Sequence, residues 1–305
     1  MKSKYGHLLF IICITIIVGV LLKYYFNTSN RQNSFAQDEN LLKGSIAFGV
    51  YTSDGKLIDN GSIIKKDDRI QHIVELSQNI NAERDYTLLV FIDYVQISFY
   101  VDGNKYMNYD FHLLEKDTKQ MHVEIELPEK DVYELSYIFI KNPDYKVRDK
   151  EFERAHVVQE VLPLRYFFNQ PQNDSLQLSF FSDFSISEEK VLDEVFVSTD
   201  ENILKIPTEV KKGEELYVVL GNFNLQSINY GIVLLENWSQ KTLNNEKYLI
   251  VNLCGNERVF FRLPDSLFKV GKNYQVLVFP YPYNGNSNNQ DSLNIYASHR
   301  FNIIK

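Results

Sequence analysis

The stretch Leu127-Pro128-Glu129-Lys130-Asp131-Val132-Tyr133-Glu134-Leu135 separates two runs of alternating character, and Leu263-Pro264-Asp265 ahead of Tyr274-Gln275-Val276 echoes it. Before the first copy, Met121, Val123, Ile125 and Leu127 alternate with His122, Glu124 and Glu126. A period of two sets one face on a core and the other in water, as a half-buried antiparallel strand requires. After it, Tyr133, Leu135, Tyr137 and Phe139 keep the same period. Proline cannot donate to a ladder, so between two strands it marks the corner where the chain leaves one sheet for the other. In the second copy Val259, Phe261 and Leu263 lead to Pro264, and Tyr274, Val276 and Val278 follow.

A leucine and a proline ahead of a tyrosine that opens a late strand resembles the tyrosine corner of immunoglobulin-like and fibronectin type III sandwiches. The resemblance implies a buried ring whose hydroxyl bonds back to the backbone upstream, a role that falls to Tyr133 and Tyr274. It carries a fold and no function, because such sandwiches host many. Other segments repeat at an offset of about 130 residues, a period that marks duplication. Leu88-Leu89-Val90-Phe91-Ile92-Asp93-Tyr94 is answered by Tyr217-Val218-Val219-Leu220-Gly221-Asn222-Phe223, and Ile80-Asn81-Ala82-Glu83 by Val210-Lys211-Lys212-Gly213-Glu214. The expected fold is all-β, two tandem immunoglobulin-like β-sandwiches behind an N-terminal transmembrane helix.

Composition agrees with strands. The chain of 305 residues holds 20 Tyr and 21 Phe but five alanines. Aromatic and β-branched side chains suit pleated surfaces, whereas alanine is the best helix former. The net charge is −8, and setting aside Lys2, Lys4 and Lys23 leaves −11 for residues 24–305. An acidic body with no basic stripe repels phosphate backbones, so nucleic acid is excluded as a partner. Of the two cysteines, Cys13 lies in the apolar N-terminal segment, so no disulfide forms within the body. Cys254 ends the apolar run Tyr248 to Leu253 and is expected to be a buried structural thiol.

Residues 8–22 carry no charge. With His7 and the Tyr24-Tyr25-Phe26 belt the segment reaches roughly 20 residues, the length of a bilayer-spanning helix. It reads as an uncleaved signal anchor; a cleaved signal peptide is the alternative. Ile12 ahead of Cys13 argues against lipidation. The lysine excess before the segment places the N-terminus inside and the rest outside. The expected division is a cytoplasmic tail at 1–6, the anchor at 7–26, a stalk at 27–43, sandwiches at 44–168 and 175–305, and a linker at 169–174. Within the first sandwich, Ser53-Asp54-Gly55-Lys56 is expected to turn a hairpin between strands at 45–51 and 57–64.

Motifs for chemistry are few. Gly44 and Gly49 have phosphate-loop spacing, but Val50 and Tyr51 stand where Lys and Ser/Thr are needed. His72, His112, His122, His156 and His299 show no paired metal-ligand spacing. His122, Glu124 and Glu126 share a strand face, which reads as solvated surface; their use as an acid–base group needs a cleft that joins them. No nucleophile elbow and no catalytic cysteine set occurs. The expectation is a non-enzymatic protein with no cofactor and no metal. The loop Pro280-Tyr281-Pro282-Tyr283-Asn284-Gly285-Asn286 joins the last two strands, where sandwiches carry binding loops. Tyr281, Tyr283, Asn284 and Asn286, with Trp238 as an exposed anchor, form a candidate surface for stacking on and hydrogen-bonding a sugar or peptide. The functional expectation is a membrane-anchored extracytoplasmic binding protein, bacterial in origin, that engages a partner protein or cell-envelope glycan. The alternative is a structural spacer or accessory subunit of a membrane complex, and a third reading is an extracytoplasmic enzyme, which needs His122 or another histidine to meet carboxylates in a cleft.

Overall fold

Two kinds of strand run through the chain: alternating ones, and continuous apolar runs such as Leu88–Ile92, Ile138–Ile140 and Leu277–Phe279. The first kind buries one face, and the second buries both. In the computed structural model the residues described are 44–58, 61–63, 68–129, 131–146, 161–168, 178–186, 195–200, 206–283, 285 and 290–305. The proposed tail, anchor and stalk at 1–43 and the linker at 169–174 lie outside them. Among the described residues no helix is long and apolar enough to cross a membrane.

The first half supplies β1 (Gly44–Thr52), β2 (Ser62–Ile63), β3 (Arg69–Ile80), β4 (Arg84–Ile92), β5 (Val95–Gln96), β6 (Phe99–Val101), β7 (Asn104–Tyr106), β8 (Tyr109–Leu113), β9 (Thr118–Glu126), β10 (Glu134–Lys141) and β11 (Val161–Phe168). They form two sheets, ordered β1-β3-β9-β6-β7 and β2-β11-β10-β4-β5, with β8 added to β4. Leu127 and Pro128 stand where the chain passes from the first sheet to the second, between β9 and β10. The inward residues of both sheets, among them Val74, Leu88, Met121, Val123, Tyr137 and Phe139, make one buried core.

The second half supplies β12 (Ser185–Ile186), β13 (Val195–Ser198), β14 (Glu209–Lys211), β15 (Leu216–Gly221), β16 (Ile228–Glu236), β17 (Ser239–Lys241), β18 (Leu249–Leu253), β19 (Arg258–Leu263), β20 (Asn273–Pro280), β21 (Tyr296–Ala297) and β22 (Phe301–Ile304). Its sheets are β12-β19-β15-β13 and β14-β22-β20-β16-β17, with β18 added to β16 and β21 to β20. Val218, Ile232, Val251, Phe261, Tyr274 and Val278 belong to its core.

The two halves share a strand order. β13, β15 and β19 take the places of β1, β3 and β9; β14, β22, β20, β16 and β17 take those of β2, β11, β10, β4 and β5. Even a parallel strand pairing, β2 with β11 and β14 with β22, recurs. A repeated strand order is therefore visible in the fold, but not in the register the sequence matches suggest. Leu88–Ile92 is β4, whose counterpart is β16, not the Tyr217–Gly221 strand β15. Likewise Ile80 closes β3 while Val210 lies in β14. The Leu-Pro corners correspond; the other two matches slip by one strand. The expected hairpin at 53–56 is also corrected. Its turn forms, but Leu57 meets β1 at a single bridge to Tyr51, and Ser62–Ile63 crosses to pair with β11.

Every residue of β10 and of β20 is buried. Both strands face their own core on one side. On the other, Leu89, Phe91, Tyr94, Ile138 and Ile140 of the first half pack on Val233, Leu235, Trp238, Leu277 and Phe279 of the second. The halves thus meet sheet to sheet, leaving β1-β3-β9-β6-β7 and β12-β19-β15-β13 as the two outer sheets.

Candidate functional site

Two tight turns build the junction. β4 and β5 are joined by Asp93-Tyr94, and β16 and β17 by Asn237-Trp238, with φ of 46° and 68° in the first and 44° and 67° in the second. Two positive φ values in a two-residue loop define the hairpin turn whose twist matches its strands, with Asp or Asn favoured first and glycine second. Here tyrosine and tryptophan occupy glycine's place, at a cost the surroundings must offset. The first residue of each turn fixes the strand beside it. Asp93 Oδ1 accepts the Glu134 N–H at 3.0 Å, and Asn237 Oδ1 accepts the Asn273 N–H at 2.9 Å.

Just past each turn sits a glutamine, and the two glutamines clasp each other. Gln96 N donates to Gln240 Oε1 at 2.8 Å, and Gln240 N donates to Gln96 Oε1 at 2.7 Å. Gln96 Nε2 reaches the Trp238 carbonyl at 2.9 Å, and Gln240 Nε2 reaches the Tyr94 carbonyl at 2.7 Å. Each contact has its mirror, which is the signature of an interface organised about a two-fold axis.

The same reciprocity holds for two arginines. Tyr166 pairs with Leu135 and Phe301 with Tyr274, so Arg165 and Arg300, one residue earlier, occupy equal places. Arg165 Nη1 donates at 2.6 Å to the carbonyl of Pro280, the last residue of β20. Arg300 Nη2 donates at 2.9 Å to the carbonyl of Lys141, the last residue of β10. Arg165 also reaches Ser292 O at 2.6 Å, and Arg300 reaches Asn142 O at 2.7 Å. What differs is how each charge is held. Arg165 Nε and Nη2 grip both oxygens of Glu134 at 2.7 Å, and Tyr94 donates its hydroxyl to Glu134 at 2.6 Å. Burial works against the Arg165 charge, but Glu134 more than offsets it and holds the guanidinium above its ordinary value. Burial, then Glu134, pushes the Tyr94 phenol well up. In the second half Asn273 stands in Glu134's place, and Arg300 lies 4.4 Å above the Trp238 ring centre. Burial lowers its guanidinium to about 9, so it still carries its charge at neutral pH.

Of the residues expected to present a ligand surface, Trp238 and Tyr283 are built into this junction. Trp238 is 7% exposed and lies under Arg300, so it is not an exposed anchor. Tyr283 donates its N–H to the Tyr94 hydroxyl at 2.9 Å and shares a 2.6 Å hydrogen bond with the Tyr248 hydroxyl. Its ring stands edge-on to Tyr94 and Tyr133. Tyr281 is half-buried against the second core. Asn284 and Asn286 lie outside the described residues. Gly285 is placed so that a β-carbon would come within 2.2 Å of the Phe167 ring of the first half. Among the described residues of this loop, Tyr283 and Gly285 pack against the first half.

The tyrosine corners divide. Tyr274 is fully buried; its hydroxyl accepts the Lys269 N–H at 2.7 Å and donates to Glu236 at 2.9 Å. Tyr133 corrects the expectation. It precedes β10, stays half-buried, and turns its ring to Tyr283 across the junction. Cys254 is also corrected: it is exposed, because the chain has already left β18 for a turn.

A cleft of about 500 Å³ opens on the outer sheet of the first half, lined by Gln71, Tyr100, Asp102, His122 and Glu124. Glu124 is held by Arg69 Nη1 at 2.8 Å and Gln71 Nε2 at 3.0 Å. Arg69 also binds Glu126 at 2.9 Å, so Glu124 and Glu126 are engaged in cross-strand pairs, while Asp102 is the other carboxylate that lines the cleft with His122. His72 points inward, its Nδ1 2.7 Å from the Tyr137 hydroxyl, and burial lowers it to about 4. His299 donates from Nε2 to the Pro207 carbonyl at 2.8 Å and is lowered by burial to about 4. His112 is exposed and raised by its hydrogen bond to Asp85. His156 lies outside the described residues. No group of metal-binding side chains occurs among the described residues.

No family model and no curated protein matches the chain. Among solved structures, a CARDB domain from Pyrococcus furiosus, in complex with di-metal ions, is 8% identical, covering 41% of this chain and 93% of its own, with a TM-score of 0.25. A human ASH/PapD-like domain is 13% identical over 42% of this chain and 85% of its own, with a TM-score of 0.24. The SafA pilin of Salmonella enterica with its SafB chaperone is 10% identical over 86% and 96%, with a TM-score of 0.25. The described residues form an almost all-β body of the β-sandwich class.

Proposed function

We propose that this protein is a non-enzymatic accessory subunit, anchored in a bacterial membrane by residues 7–26 with its N-terminus inside. Its two immunoglobulin-like halves act outside the membrane as one stiff body that positions a partner membrane protein. The observation that carries the reading is the junction. Two buried arginines and a reciprocal glutamine clasp tie the halves where a flexible pair of binding modules would need a small polar contact. Trp238 and Tyr283, two of the residues expected at a ligand tip, pack into that junction, which favours positioning over capture at the end of a loop.

A second reading follows from the outer cleft. Half-buried Tyr100 stands beside Glu124, whose carboxylate is already oriented by Arg69 and Gln71. A ring beside pre-oriented polar groups suits the faces and hydroxyls of an envelope glycan. One experiment separates the two. The full-length protein is cross-linked in its native membrane, purified, and its companions are quantified. The expected result is a membrane protein in fixed ratio. Absence of any protein above background, with envelope glycan enriched and then lost in Tyr100→Ala, would replace the first reading by the second.

A further inference from the structure

The junction has the form of a dimer interface carried within one chain. The first half settles its own charge, since Arg165, Glu134 and Tyr94 all belong to it; Arg300 keeps its ring contact with Trp238 inside the second half but gives its hydrogen bonds to first-half carbonyls. Parting the halves therefore breaks no ion pair and returns the Arg300 guanidinium to water. What crosses the junction includes a matched set, an arginine from each half to the last carbonyl of the other's central strand and a glutamine from each half to the other's turn, beside the bond from the Tyr283 N–H to the Tyr94 hydroxyl. Both surfaces are preformed by their own half, through the turn residues Asp93 and Asn237. A surface of this kind is met equally well by the facing half of the same chain or of another copy.

We propose that the partner this junction also fits is a second copy of the chain, the first half of each copy pairing with the second half of the other. Such a reciprocal dimer repeats every contact of the closed monomer twice and is itself closed. The balance between the two forms then rests on concentration and on the course of the connection between the halves. A membrane anchor would favour exchange by confining copies to a plane, although the proposal does not depend on one.

The test uses the full-length chain with Cys13 and Cys254 replaced by serine. One preparation carries Gln96→Cys, a second Gln240→Cys, and a third both. Gln96 is buried, so a cysteine there meets a distant chain only if the halves part. The third preparation, oxidised with diamide, is expected to form its disulfide within the chain, which certifies the geometry. The first two, mixed, incubated and oxidised, are expected to give a disulfide-linked species of twice the mass, with a yield that rises with concentration. The same mixture unfolded and refolded together should raise it further. If the double variant closes within one chain while the mixed chains give no linked species in either regime, the halves pair strictly within their own chain and the proposal is overturned.

Discussion

Glu134 and Arg165 have side chains 2% and 0% exposed, so water cannot screen or replace either. Glu134→Gln keeps the shape but removes the countercharge from a buried guanidinium. Breaking one side of such a pair costs about 3–5 kcal/mol. For a body of this size that lowers the melting temperature by roughly 6–20 °C, and thermal unfolding read by circular dichroism checks it. A different residue sets the response to acid. His72 stays neutral in the folded state down to about 4, against an ordinary value of 6.5. Between those values the unfolded chain holds the extra proton, so stability rises with pH across the window and is lost as pH falls through it. The shift amounts to about 3 kcal/mol at its acid end. Urea midpoints measured from pH 7 to pH 4 should fall steeply in the parent, and His72→Gln should flatten part of that fall, with His299 supplying much of the remainder.

At the scale of elements the turns repay attention. Replacing Tyr94 by glycine would relieve a positive φ worth about 1 kcal/mol, yet it would empty a buried aromatic site worth about 3–5 kcal/mol. The net expectation is a loss of about 2–4 kcal/mol. Asp93→Asn, which copies what Asn237 already does in the other half, should cost under about 1 kcal/mol. Denaturant titration of the pair checks both. These turns also explain where sequence reading succeeded and failed. Strands with one wet face, such as β9, announce themselves by alternation, and the Leu-Pro corners are marked by proline chemistry. The two equivalent hairpins hide because tyrosine and tryptophan sit where glycine would advertise the turn. Without that signal Leu88–Ile92 matches the wrong apolar strand. The junction did leave a trace, in continuous apolar runs too long for a sheet with one wet face, and in Arg165 set within Leu162-Pro163-Leu164-Arg165-Tyr166-Phe167-Phe168. Which surface covered those runs was not legible, because an outward face buried by a second half looks in sequence like one buried by a core. For the same reason Trp238 and Tyr283 read as surface: polar, turn-rich sequence marks a loop and is silent on whether another domain lies against it.

On the scale of the whole molecule, burial is deepest in neither half's core alone but along β10 and β20, which are covered by a core on one side and by each other's sheet on the other. Their backbone amides are therefore the last to meet solvent. Amide hydrogens in a native protein swap for deuterium at rates set by the openings that expose them. Central β10 and β20 amides, such as those of Tyr137–Ile140 and Val276–Phe279, should thus retain hydrogen longest, while β1, at the rim of an outer sheet, loses it early. Mass spectrometry of deuterated peptides would time this order. Because each of the two strands borders both a core and the junction, their labelling curves are tied together. The slowest clock in the molecule belongs to the two halves in common, and it ticks only when they let go of one another.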